Sequence, residues 1–214
     1  MVPHFQVRAV PRADRATGLS SASKEASRPP KPTPASLRAA AGRRVPDLIG
    51  HRLQVLFVGI NPGLYSAATG HHFARPGNRF WPALHDAGFT DVRLQPWEER
   101  RLVPLGLGIT NLVARATAAA DELLPEELRR GRHRLAAKVK RYRPRCVALL
   151  GIGAFRIGFG RPGAGVGLQA DLLERAAVWV LPNPSGLNAN HQRADLAHEF
   201  RALRRFAAAG RGSR

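Results

Sequence analysis

Apolar residues along the chain gather in short dense runs separated by longer, one-sided repeats. Leu53 to Ile60 is almost continuously apolar and β-branched or aromatic. That pattern predicts a strand buried on both faces, as inside a parallel sheet. Cys146–Leu150 and Ala177–Leu181 are two further runs of this kind, and residues 108–113 read as a short strand or strand-to-loop piece. Between the runs the period changes. Residues 123–142 set Leu128, Leu135 and Val139 on one helical face, opposite Arg129, Arg130, Arg132, Arg134, Lys138 and Lys140. Residues 194–208 do the same with Leu196, Phe200 and Leu203. Shorter helices are expected over 79–87, 96–104 and 154–159. Strands alternating with helices describe an α/β domain built on a mostly parallel sheet.

Two of the buried runs end alike. Leu53–Ile60 stops at Asn61-Pro62-Gly63, and Ala177–Leu181 runs into Pro182-Asn183-Pro184-Ser185-Gly186-Leu187-Asn188. Proline fixes its own φ and pushes the preceding residue towards extended backbone. Pro62-Gly63 suits a type II turn with Gly63 at positive φ. If the two strands are parallel neighbours, both loops face one crevice at the carboxyl end of the sheet, where ligands bind in open α/β folds. Residues 64–78 read as a long shaped loop, with Phe73 either a core plug or a stacking platform. His71-His72 lacks nearby Cys or carboxylate ligands in sequence and reads as solvent-exposed, not as a metal site.

Composition narrows the partners. The formal net charge is +19 over 214 residues, and arginine supplies most of it. The guanidinium fork matches phosphate, so a polyanionic partner is expected. No long apolar segment suggests a membrane, and the amino terminus lacks the apolar core of a secretory signal, so a cytoplasmic location is expected. Cys146 is the only cysteine, which excludes disulfides within the chain and cysteine-ligated iron–sulfur clusters. Residues 1–45, rich in Ser, Pro, Ala and Arg, read as a flexible basic arm, and the folded domain is expected over 46–210 with a short basic tail at 211–214. Ser21-x-x-Lys24 resembles a nucleophile pattern but lies in that arm. Gly158-x-Gly160-x-x-Gly163 formally matches a dinucleotide fingerprint, but it follows no strand directly, Pro162 breaks its turn, and no acidic residue ends the next strand. It reads as a plain loop.

Gly59-Ile60-Asn61-Pro62-Gly63 together with Asn183-Pro184-Ser185-Gly186-Leu187 resembles the mismatch-specific uracil-DNA glycosylases and their thymine-DNA glycosylase relatives. Three more blocks agree in order and spacing: Arg75-Pro76-Gly77-Asn78-Arg79-Phe80-Trp81, Ala87-Gly88-Phe89-Thr90 and residues 108–113. The resemblance runs from about 53 to 206. It implies a three-layer α/β/α sandwich, double-stranded DNA carrying uracil or a mismatched base as partner, a monomer, and no cofactor or metal. It also implies roles. Asn61 would position the attacking water. Ile60, Gly63, Ser66 and Asn111 would bind the pyrimidine, and Phe73 would stack on it. Asn183, Ser185, Gly186 and Leu187 would form the DNA wedge and contact the opposite base. Asn111 resembles the thymine-DNA glycosylase branch, Tyr65 is bulkier than the usual small residue, and Asn188-Ala189 lacks the basic residue often found beyond the wedge.

The residue types suit that chemistry. A base inside a duplex must be extruded before its bond can be cut. An amide takes no proton at neutral pH, so Asn61 can orient water but cannot act as a general base. No lysine lies in these blocks, which argues against a Schiff-base lyase. Two rival readings keep the fold: a glycosylase of a neighbouring branch with broader damaged-base substrates, and a non-catalytic DNA-binding protein. A third, an α/β protein acting on free nucleosides, fits the charge poorly.

Overall fold

The structure is a computed structural model that describes residues 28–186 and 193–209. Five strands form one sheet in the order β2-β1-β3-β5-β4, with β1 Val55–Gly59, β2 Leu107–Asn111, β3 Cys146–Leu150, β4 Gly167–Leu173 and β5 Ala176–Leu181. β2, β1, β3 and β5 are parallel, and β4 runs antiparallel along the edge beside β5. The helices are α1 Pro34–Arg38, α2 Leu64–Thr69, α3 Phe80–Asp86, α4 Pro125–Tyr142, α5 Ile152–Phe159 and α6 Arg193–Ala209, with a 3-10 helix over Pro96–Leu105.

Strand side chains alternate between two cores, as the pleat requires. Val55, Phe57, Ile109, Ala148, Leu150 and Leu181 face α3 and α6, where Phe80, Leu84, Leu196, Phe200 and Leu203 meet them. Leu56, Val58, Val147, Leu149, Val178 and Val180 face α4 and α5 through Leu128, Leu135, Val139 and Phe155. The result is the expected three-layer α/β/α sandwich. Phe57 is central to the first core: Phe80 and Phe89 meet its ring edge-on at 5.3 and 5.6 Å, and Phe200 stacks on it at 5.8 Å. In the second, α4 lies close enough to β2 that a Cβ on Gly131 would come within 2.5 Å of the Leu112 carbonyl oxygen.

Several expectations change. β5 is not the neighbour of β1; β3 lies between them, yet all three are parallel, so their carboxyl ends still open on one side. Residues 64–69 form α2 rather than loop. β4 was not legible as a strand. The arm is shorter than 1–45: Thr33 caps α1 by accepting from the Ser36 N–H, and Ala40 and Val45 are buried against Ala67 and Ala116. The folded unit therefore includes residues 34–45. The part of the arm over 1–27, and the tail over 211–214, lie outside the described residues.

Candidate active site

The carboxyl ends of the parallel strands open into a cleft of about 790 Å³. β1 delivers Ile60 and Asn61, β2 delivers Asn111, β3 delivers Gly151, and β5 delivers Pro182, Asn183 and Ser185. Gly63, Ser66 and Phe73 line the same cleft from the segment after β1. Eight of the ten residues singled out from the sequence thus share one cavity. Gly186 lies beside it at the loop tip, and Leu187 lies outside the described residues.

Asn61 is fixed by a hydrogen-bond chain. Its Nδ2 donates to the Arg115 carbonyl oxygen at 3.1 Å and to Thr117 Oγ1 at 2.6 Å. Thr117 Oγ1 in turn donates to the Ala119 carbonyl at 2.6 Å. A backbone carbonyl can only accept, so the amide orientation is set, and both N–H bonds are used. Oδ1 has no protein partner among the described residues. Thr117 also belongs to the cleft wall, and its N–H donates to the Pro62 carbonyl at 3.2 Å. Behind it, the Arg115 guanidinium holds Glu127 through two bonds of 2.6 and 2.8 Å, and that contact keeps the Glu127 carboxyl at about 2. Thr117 and Arg115 carry no sequence signal of this role; they stand in an Ala-rich stretch after β2.

Gly63 does not take the positive φ that a type II turn requires. It is extended at φ −74° and forms the N-cap of α2. A Cβ there would meet nothing within 4 Å, so packing does not demand glycine. Ser66 Oγ accepts the Ala74 N–H at 3.1 Å and so ties α2 to the segment carrying Phe73.

Phe73 is both plug and platform. Its ring stacks on buried Phe80 with centroids 4.1 Å apart, and it also lines the cleft. Its backbone has φ 53°, unusual for a bulky residue. The neighbours secure that conformation. The expectation of exposed histidines is corrected here: His72 is buried, its N–H donates to Glu99 Oε2 at 2.9 Å, and its carbonyl accepts from Trp81 Nε1 at 3.2 Å. Burial lowers the His72 pKa, so the ring is neutral, and its Nε2–H donates to the Pro46 carbonyl at 2.9 Å. His71 Nδ1 meets Glu99 Oε1 at 3.0 Å.

Asn111 stands directly across from Gly59 in the β1–β2 register. A Cβ on Gly59 would lie 2.5 Å from Asn111 Oδ1 and 3.4 Å from the Phe73 ring, so glycine at 59 makes room for both. The Asn111 amide has no protein partner among the described residues.

The loop after β5 is braced by the segment before α3. Asn183 Oδ1 accepts the Ser185 N–H at 3.0 Å, a local turn of the Asx kind. Arg79 donates through its backbone N–H to the Pro184 carbonyl at 2.9 Å and through Nη2 to the Ser185 carbonyl at 2.6 Å. Gly186 packs so close to Gly77 that a Cβ on it would sit 2.6 Å from the Gly77 carbonyl oxygen. Residues 46–207 match the family model described as the Uracil DNA glycosylase superfamily, which spans more than half of the chain and the whole cleft.

Proposed function

Because the chain belongs to the Uracil DNA glycosylase superfamily, we propose that it is a monofunctional glycosylase that flips uracil out of duplex DNA, preferentially from opposite guanine, and hydrolyses its glycosidic bond. The superfamily already carries the coarser statement: a hydrolase of the DNA glycosylase type, acting on DNA in repair. The observation that carries the finer mechanism is the locked Asn61 amide. With both N–H bonds spent on Arg115 and Thr117, the acceptor Oδ1 is what remains to meet a water in the cleft.

In this reading the water oxygen forms a bond to C1′ of the sugar. The C1′–N bond breaks, its electron pair leaves with the base, and the water's proton passes to solvent or to the base anion. Asn61 orients the water without removing its proton. Ile60, Gly63, Ser66 and Asn111 surround the pyrimidine, and polar groups there stabilise the anion as it forms. Phe73 replaces lost stacking on one face, worth about 1–3 kcal/mol per base. Asn183, Ser185 and Gly186 carry the wedge, with Leu187 as the apolar filler of the vacated stack.

Preference for G·U over A·U rests on two effects. The wobble pair costs less to open, and flipping energy is itself a source of selectivity. A braced backbone near Gly186 can also accept from the N–H groups on the exposed guanine edge. The test measures single-turnover base release from duplexes differing only in the opposite base, with single-stranded uracil as control. G·U is expected to be fastest. Equal G·U and A·U rates would remove the preference, and no release from any substrate would leave a DNA-binding protein without catalysis.

A further inference from the structure

We propose that the amino-terminal edge of the sheet, on the side of the molecule away from the cleft, is a second DNA-binding surface that takes the phosphate backbone of another duplex. Three segments meet there. The Arg52 N–H donates to the Tyr142 carbonyl at 2.8 Å, and the Arg145 N–H donates to the Leu53 carbonyl at 2.8 Å. This ties the lead into β1, the end of α4 and the lead into β3 into one small surface. Arg52, Arg141, Arg143, Arg145 and His51 are all exposed on it.

Three of these arginines lack a carboxylate neighbour. Arg52, Arg141 and Arg143 have no carboxylate partner among the described residues, unlike Arg101, Arg115, Arg129, Arg161 and Arg193, which each hold one. The patch has an aromatic centre. Tyr142 lies under the Arg141 guanidinium at 5.3 Å and beside the His51 ring at 5.2 Å, so a guanidinium and an imidazole flank a half-buried ring. Such a mixture of arginine and aromatic groups suits nucleic acid better than a bare lipid surface.

Backbone geometry adds an independent observation. Arg52 has φ 54° and Arg143 has φ 52°, a left-handed conformation that glycine or asparagine adopts more readily. At both turns the chain carries a guanidinium where a smaller residue would be easier to accommodate. Both turns are occupied by exposed arginines, Arg143 as the left-handed C-cap of α4.

Location decides which DNA is bound. The patch precedes β1 and β3, and the cleft follows them, so five-residue strands separate the two by about 17 Å. A duplex engaged at the cleft mouth and a duplex on the patch are therefore different segments, and one molecule can bridge them.

The test uses the full chain and its triple variant Arg52→Asn, Arg141→Gln, Arg143→Asn. Asparagine tolerates positive φ, so the first and third changes keep the turns folded, and circular dichroism and thermal midpoint verify that. An immobilised duplex without uracil is loaded with protein, and capture of a second, fluorescent duplex is measured as salt is raised. The variant is expected to capture about fivefold less or weaker still, with the slope of log affinity against log salt reduced by about 2 to 3, one unit per lost phosphate contact. Single-turnover release of uracil at saturating enzyme should be unchanged. Unchanged capture and slope overturn the proposal. So does loss of binding to anionic phosphatidylserine vesicles with duplex capture intact, which would assign the patch to a membrane surface. Because the bridging duplexes carry no uracil, this outcome is independent of whether the cleft excises uracil.

Discussion

Asn61 shows how much of a site one residue can carry and how little of its support is local. Asn61→Ala is expected to lower single-turnover excision by about a hundredfold, the scale of losing a positioned reactant, while duplex affinity stays within about twofold. Thr117→Val tests the support. It removes the Oγ1 that accepts from Asn61 and donates to Ala119, and leaves the Asn61 amide held by the Arg115 carbonyl alone. A fall of about tenfold in the excision rate, with unchanged affinity for uracil-containing duplex, is the expected result; rates equal to wild type would show that the Arg115 carbonyl suffices. Asn61 and Asn111 could be placed in the cleft because each sits at or near a strand end that the apolar runs announce, whereas Phe73, beyond α2, was placed there only by the family resemblance. Thr117 was not legible, because its role exists only after residues 56 apart in sequence come together. The type II turn expected at Gly63 does not form: the residue sits in the cleft wall as an extended N-cap and not at positive φ.

At the scale of elements, the first turn of α4 anchors the loop behind the cleft. Glu127 is its third residue and also accepts the Leu124 N–H at 3.0 Å. Arg115 and that N–H hold the Glu127 carboxyl at about 2, below its ordinary 4.5. A depressed carboxylate pKa stabilises the fold fully above 4.5 and loses that support as pH falls towards 2. Wild type and Glu127→Gln should therefore differ most in thermal midpoint above pH 5 and converge by about pH 2; a difference constant over that range would assign the contact no linkage. The long elements were readable. α4, β3 and β5 lie within two residues of where periodicity puts them, since burial on one or two faces writes itself into the sequence. β4 was not, because an edge strand needs few buried positions: only Leu173 of its seven residues is fully buried, and its pairing with β5 is interrupted between Leu168 and Leu172. α2 was read as loop because six residues closed by Gly63 and Gly70 show less than two helical turns of pattern.

For the molecule as a whole, the border between arm and domain decides what a truncation does. Composition put that border at Pro46, since Pro, Ser and Arg up to there offer little to bury. Ala40 and Val45 nevertheless reach the core of a small satellite cluster, and the Gly42 N–H donates to the Ala116 carbonyl at 2.9 Å. Removing residues 1–27 should leave the thermal midpoint within about 2 °C and weaken binding to any duplex. Removing 1–45 forfeits roughly 2 to 3 kcal/mol of burial and should lower the midpoint by roughly 5 to 10 °C. Differential scanning calorimetry of the two truncated chains separates these outcomes, and equal midpoints would return the border to Pro46. The overall charge was legible from the first count of residues, but its distribution was not, because which arginines find carboxylates depends on the tertiary structure.

The contact between Gly77 and Gly186 has a consequence for inheritance. Two blocks 109 positions apart meet backbone to backbone with no space for a methyl group, and Arg79 stitches the same pair. The 183–187 block cannot gain a side chain at its tip alone: an alanine at 186 must be met by a displaced chain at 77. A chimaera that takes residues 183–187 from a distant relative should lose excision, and one that takes residues 75–79 from the same donor as well should regain it. If the single exchange works as well as the double, the two blocks evolve separately and the brace is dispensable.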